Sequence, residues 1–294
     1  MTIDIICPLY NAENYVVKQL KQIEMQSYYN YVKNIRYVIT KGQDNTAETI
    51  RKQQEENNKI IYKEIESKDF SHSLTREKEA FESNADIVVF ITQDVLIEKK
   101  DWLEKLVNPI ENNECEACYS RQICDNNTIE KYTRECNYPA ESKIVSKEDI
   151  NKLGLKTFFF SDASAAIKRE TFVELGGYDK KKLPISEDMY IAYKIIMNGY
   201  KIKYCADSEV IHSHEFTLKQ YYNRYKATGK FFKENDYLNN YKVNKAGGNM
   251  AIYVLKRAWQ DKNWKVLVRY ISNMAARFIG MKVGKKTWKT KKLL

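Results

Sequence analysis

A chain of 294 residues with 43% apolar residues can bury a substantial core, which excludes a disordered polymer and leaves one large α/β domain with an extension, or two small domains. The net charge of +10 is uneven: from position 251 onward twelve Lys or Arg stand against the single acid Asp261, so the remainder is near neutral and the basic character belongs to a tail. No apolar run is long enough to span a bilayer and the first ten residues form no charged leader, so the expectation is a cytoplasmic protein whose six cysteines stay reduced.

In chain order, Ile3 to Cys7 is an apolar run ended by Pro8 and reads as a buried strand. Asn14 to Met25 carries Val16, Val17, Leu20 and Ile23 at helical spacing. Strands follow at Ile35 to Ile39, Ile60 to Ile65 and Asp86 to Ile91, separated by helices at Thr46 to Asn58 and Leu74 to Ser83. This alternation predicts a mainly parallel, doubly wound sheet, in which ligands gather at the carboxyl ends of the strands. Cys7 and Cys205 fall inside strand-like runs as core residues. Cys115 and Cys118 form one Cys-x-x-Cys without a second close pair, which argues against a zinc site.

The residues after each strand are therefore informative. Pro8 to Asn11, Thr40 to Thr46, Asp69 to Arg76 and Thr92 to Asp94 occupy those places. Asp94 is several residues from the helix that begins at Trp102, so it is not needed as a cap, and a carboxylate at that edge is a natural ligand for a hard divalent cation shared with phosphates. Farther on, Ser186-Glu187-Asp188 opens an apolar helical run. It reads either as a plain capped helix start or as two carboxylates held at the positive end of a helix, where one stays ionised to act as a general base.

Thr92-Gln93-Asp94, Phe158 to Asp162, Gly176-Gly177-Tyr178-Asp179, Glu187-Asp188 and Val210 to His214 occur in an order that resembles inverting family-two glycosyltransferases with the GT-A fold. The likeness is to the bacterial rhamnosyltransferase branch, and extends to Phe70 to Arg76, Tyr119 to Gln122 and Asn137-Tyr138-Pro139. It implies a Rossmann-like, mainly parallel sheet flanked by helices: a catalytic domain over 1–235, with a nucleotide-binding half at about 1–95 and an acceptor-binding half at about 96–235. A helical basic extension over 236–294 would follow.

The resemblance also implies roles. Pro8, Tyr10, Asn11, Asp44, Arg76, Gln93 and Asp94 would surround the nucleotide-sugar donor, Arg76 pairing with phosphate oxygens. Asp94 with His212 or His214 would hold Mg²⁺ or Mn²⁺, Asp188 would be the base with Glu187 beside it, and Asp162 and Arg121 would meet the acceptor. The reaction would be a single displacement that moves L-rhamnose from dTDP-rhamnose onto a lipid-linked glycan, a UDP-hexose being the alternative donor. Three departures from the family are plain, the first being that the metal-binding triplet offers one acid, Asp94, rather than two. Ile39 and Thr40 stand where relatives place an acid for the nucleobase, and Glu77 follows Arg76 where relatives carry Asn.

From Trp264 onward, Leu267, Val268, Ile271, Met274, Ala275 and Phe278 give one apolar helical stripe flanked by Lys265, Arg269, Arg277, Lys282, Lys285, Lys286, Lys289, Lys291 and Lys292. Such a segment either rests on an anionic membrane surface, peripheral at the inner face of the cell membrane, or packs on the catalytic domain or in a homodimer. No nucleic-acid module is recognisable, so nucleic acid is not an expected partner.

Overall fold

The computed structural model describes residues 1–242 and 246–286; Lys289, Lys291 and Lys292 lie outside them. The elements in order are β1 (Ile3–Leu9), α1 (Glu13–Glu24), β2 (Val32–Thr40), α2 (Thr46–Glu56), β3 (Ile60–Ile65), α3 (His72–Glu82), β4 (Ile87–Ile91) and α4 (Trp102–Glu111). Then come β5 (Ala117–Ile123), α5 (Ile129–Asn137), β6 (Lys143–Val145), α6 (Ile150–Leu153), β7 (Ser164–Lys168), α7 (Arg169–Glu174), α8 (Glu187–Met197), β8 (Ile202–Ile211), α9 (Leu218–Glu234), α10 (Ala246–Gln260) and α11 (Trp264–Lys286). The predicted strands and helices of the first ninety residues are all present, their ends displaced by at most a few positions. Local chemistry sets several starts: the Ser71 hydroxyl accepts from the Leu74 N–H to open α3, and Thr217 with Gln220 forms a reciprocal cap on α9.

One eight-stranded sheet runs in the order β3-β2-β1-β4-β7-β5-β8-β6. β7 is antiparallel to both β4 and β5, and β6 is antiparallel to β8; the other pairings are parallel. The carboxyl ends of β1, β2, β4, β5 and β8 therefore share one edge with the start of β7. That edge collects Pro8, Thr40, Asp94, Asp162 and His212 from sequence positions more than two hundred residues apart. One face of the sheet packs β1, β2 and β4 on α1 and α4; the other packs β5, β7 and β8 on α8 and a cluster of aromatic rings. Cys7 and Cys205 are buried in the first layer, and the Cys115 and Cys118 sulfurs lie 3.3 Å apart there.

The C-terminal helix divides the expected stripe: Leu267 and Met274 pack against a small core. α11 packs on α9 through Val266, Tyr270, Asn273, Arg277, Gly280 and Gly284, while Val268, Ile271 and Phe278 face outward. Tyr270 and Val266 join Tyr221 in a small core, and the Arg277 guanidinium lies over the Tyr221 ring at 4.4 Å and pairs with Glu130 at 3.2 Å. An apolar stripe was the obvious signal, but a buried, paired arginine and two glycines allow a closer approach than leucines do. A Cβ built on Gly280 would lie 2.4 Å from the Tyr222 carbonyl oxygen, and one on Gly284 would lie 2.1 Å from that of Lys226. Replacing a helical glycine by alanine normally stabilises by roughly 0.5–1 kcal/mol. Here Gly284→Ala is expected to reverse that sign, lowering stability by about 1–3 kcal/mol because the two backbones must separate. Thermal melting checks it, and a raised Tm would show that the helices are not in backbone contact.

Candidate active site

A cleft of about 840 Å³ opens at the shared strand edge. Its walls come from the ends of β1, β2 and β4, the start of α3, the residues before β7, the start of α8, the residues after β8, and one face of α9. Of the expected site residues, Pro8, Tyr10, Arg76, Gln93, Asp94, Asp162, Glu187, Asp188, His212 and His214 line it. Gln93 does so with its amide engaged: it accepts from the Tyr10 N–H at 2.7 Å and donates to the Tyr10 carbonyl at 3.0 Å, tying β1 to β4.

Three expected residues are not brought there. The Asp44 carboxylate accepts from the Glu13 and Thr46 N–H groups and the Thr46 hydroxyl, so it clamps the starts of α1 and α2 instead. Asn11, at φ 47°, accepts from the Gln43 N–H and holds the same loop pair together. Arg121 is paired with Glu209 at 3.0 Å across β5 and β8. Arg76 needs correction in its role. It reaches the cleft but is buried, pairs with Glu187 at 3.4 Å and donates to the His72 carbonyl at 3.0 Å, so its charge answers carboxylates.

At one end of the cleft stand three carboxyls, Asp162, Glu187 and Asp188. Burial pushes Asp162 up to about 6, Arg76 opposing and Glu187 adding to the shift. Burial likewise raises Glu187 against the pull of Arg76, and raises Asp188 well above the usual range, with Glu187 and Asp162 adding to it. Three carboxyls beside one guanidinium cannot all ionise freely, so the group shares protons and titrates as a unit. The Asp162 Oδ2 accepts from the Tyr178 hydroxyl at 2.6 Å, and its Oδ1 is buried without a partner among the described residues. The turn before β7 is closed by backbone, Ser164 N–H to Ser161 carbonyl, so Asp162 is not needed to close it.

The helix start at Ser186 is not an ordinary cap. Ser186 sits at φ 62°, a left-handed conformation costing roughly 1–2 kcal/mol in a residue other than glycine, and its side chain caps nothing. At the helix start the Met189 N–H donates to Asp188 at 2.7 Å, yet burial and its acidic neighbours outweigh that help. Glu77, where the family carries Asn, accepts from the Tyr178 and Lys180 N–H groups and shapes the turn that presents the Tyr178 hydroxyl. Gly177 is at φ 52° in that turn, a left-handed conformation that favours glycine, with Glu77 and Phe172 side-chain atoms about 3.0 Å from where a Cβ would stand.

At the other end Asp94, His212 and His214 converge, with one ligand atom from each lying within 4.8 Å of the others. Gln122 fixes the state of His212. Its amide nitrogen donates to Ser161 Oγ at 2.7 Å, which turns its carbonyl oxygen toward Arg134, a donor, and toward His212 Nδ1 at 2.9 Å. That oxygen only accepts, so Nδ1 carries the hydrogen and Nε2 presents a lone pair. The lone pair faces Asp94 Oδ2 across 3.5 Å, and His214 Nδ1 is 3.7 Å from the same oxygen. Burial holds His212 low and brings His214 down to about 4, His212 adding to the latter shift, so both rings are neutral at pH 7. One carboxylate with two neutral imidazoles converging on one point is a donor set for a divalent cation.

One cleft residue, Arg224, gave no signal beforehand, and Thr40 was marked only by its place at the end of β2. Arg224, inside a tyrosine-rich run that reads as packing, lies over the Phe216 ring at 4.8 Å and has no ion pair with a carboxylate among the described residues. The Thr40 hydroxyl is buried on the cleft wall without a partner among the described residues.

A family model described as Glycosyl transferase family 2 matches residues 4–176. The chain is 33% identical over 290 residues to the O-antigen chain rhamnosyltransferase RfbN of Salmonella typhimurium, covering 97% of this chain and 90% of that protein. It is 36% identical over 234 residues to the O-antigen chain rhamnosyltransferase WbaN of Salmonella anatum, covering 78% and 73%. Among solved structures it is similar to the mannosyltransferase PcManGT from Pyrobaculum calidifontis in complex with GDP-Man and Mn²⁺, with TM-score 0.63 at 16% identity over 98% of this chain and 88% of that one. S. aureus TarS 1–349 in complex with UDP-GlcNAc is similar at TM-score 0.55 and 13% identity, over 98% and 91%.

Proposed function

The chain belongs to glycosyl transferase family 2, and from that premise we propose that it moves L-rhamnose from dTDP-rhamnose onto a lipid-linked precursor of a surface polysaccharide, with inversion at the anomeric carbon. That it is a glycosyltransferase follows from the family. The observation that carries the mechanism is one cleft joining a carboxylate-imidazole cluster to three proton-sharing carboxyls.

Asp188 takes the proton from an acceptor hydroxyl as that oxygen attacks the anomeric carbon, and the nucleoside diphosphate departs from the opposite face. A raised pKa makes Asp188 a stronger base than an exposed carboxylate. Glu187 and Arg76 set its surroundings, and Asp162, steered by Tyr178, offers its free oxygen to the acceptor. Asp94, His212 and His214 would hold Mg²⁺ or Mn²⁺, which when bound supplies positive charge to the leaving diphosphate. Arg224 takes the phosphate-facing role first expected of Arg76, since its guanidinium has no carboxylate to satisfy. Thr40, whose hydroxyl is free on the cleft wall, contacts the nucleoside where relatives use an acid. The catalytic unit is assigned to 1–235 and the enzyme to the inner face of the cell membrane.

The donor is tested by thermal shift and diphosphate release over a panel of nucleotide sugars. dTDP-rhamnose is expected to raise Tm and be consumed, while GDP-mannose and UDP-hexoses are not. Turnover of a UDP-hexose with dTDP-rhamnose inert would transfer the assignment to a hexosyltransferase on the same fold.

A further inference from the structure

α11 has two unlike faces. The one opposite the α9 contact carries Trp264, Val268, Ile271, Phe278 and Ile279, with Ala275 between the two groups, and Val268 and Ile271 are 81% and 79% exposed. Scattered apolar residues on a surface are ordinary, but five large ones on one face of a helix between Trp264 and Ile279 are not. The line continues onto α10: the Trp264 ring meets Trp259 edge-on at 5.2 Å, and Ile252, Leu255 and Trp259 are exposed at helical spacing.

We infer that this face of α10 and α11 is a docking surface for an anionic lipid bilayer, on which α11 lies in the interfacial plane. Charge decides the occupant. From Lys262 to Leu294 the sequence has no acid, and Lys265, Arg269, Lys282 and Lys286 flank or end the apolar line. The spacing 264, 268, 271, 275, 278 would suit a second helix, but a second copy brings only like charge against these flanks, where paired helices use opposite charges. Anionic headgroups complement them, and tryptophans suit the boundary between headgroup and acyl chain. No helix of the described residues is long and apolar enough to cross a membrane, so the helix rests on the surface. Neither donor nor acceptor enters the argument, so it stands apart from the transfer reaction. It has one geometric consequence for that reaction. α9 and α11 run parallel in backbone contact, Gly280 beside Tyr222 and Gly284 beside Lys226, and α9 also carries Arg224 on the cleft wall. Docking α11 thus holds the α9 wall of the cleft within about one helix diameter, roughly 10 Å, of the docked helix.

The test is sedimentation of the full chain with phosphatidylcholine vesicles, with and without phosphatidylglycerol, at low and high salt. The expected result is binding only with phosphatidylglycerol, weakened by salt. A Val268→Glu/Ile271→Glu double variant should lower the bound-to-free ratio roughly tenfold or more with an unchanged circular-dichroism melt, since both side chains are already in water. If that variant melts early, Val268→Ser/Ile271→Ser should give a smaller loss of the same sign. Failure to bind phosphatidylglycerol vesicles at low salt overturns the inference, and so does binding indifferent to both double variants. Sedimentation velocity that shows a dimer converted to monomer by Val268→Glu/Ile271→Glu would give the face to a second copy instead.

Discussion

Replacing Asp188 by asparagine should lower kcat by about 10²–10⁴-fold while donor binding and fold persist, because the amide keeps the shape of the carboxyl and cannot accept the acceptor's proton. The loss will not be an unfolding effect. The folded-state pKa of Asp188 lies above its unfolded value, so ionisation costs the fold stability as pH rises between the two. A neutral amide removes that cost and Tm at neutral pH is held or raised. The same shift fixes the pH profile: kcat/KM should fall as pH drops through an apparent pKa well above the ordinary carboxylate value of about 4. Asp162→Asn should move that limb downward by removing a neighbouring negative charge. An Asp188→Asn enzyme with full turnover would remove Asp188 from the reaction, and an acid limb at the ordinary carboxylate value would show that the three carboxyls do not share protons.

Exhaustive chelation, or Asp94→Ala, should each reduce transfer by about two orders of magnitude or more, and Mn²⁺ or Mg²⁺ should restore the chelated wild type alone. His212→Ala should behave like Asp94→Ala. Gln122→Ala is more diagnostic. It leaves every ligand in place but frees the His212 tautomer, and loss of such an outer partner typically costs about 10–100-fold in metal affinity. Calorimetric titration with Mn²⁺ reads that affinity without turnover. Undiminished transfer in a fully chelated enzyme would mean that Arg224 and the cleft's own dipoles carry the leaving group.

The strands and most site residues were legible because their signals are local. An apolar run such as Ile87 to Ile91 is a strand wherever it pairs, and a carboxylate directly after it must lie at the sheet edge. What escaped was pairwise. Nothing in the local sequence says that Asp44 is spent on Glu13 and Thr46, that Arg121 finds Glu209, or that Arg76 is held by Glu187 while Arg224 remains open. Gln122 stood in a recognised motif, yet its function rests on three partners from β5 onward that only the fold assembles. In the tail the periodicity located a helix and its outward apolar face but not the face that packs on α9. Beyond Val266 and Tyr270, the packed face is built on Arg277, Gly280 and Gly284, which carry no hydrophobic signal.

The strand order has a further consequence, for how the chain is made. β1 to β4 find partners among themselves as they emerge, but β5 pairs only with β7 and β8, both later in the chain, and β7 must enter between β4 and β5. Until residue 168 is available the nascent sheet therefore has an open edge on β4 and an orphan strand in β5, both rich in buried apolar residues. A fragment ended before Ser164 would expose those edges to other chains, so the late, antiparallel β7 acts as the keystone that ends an aggregation-prone interval during synthesis.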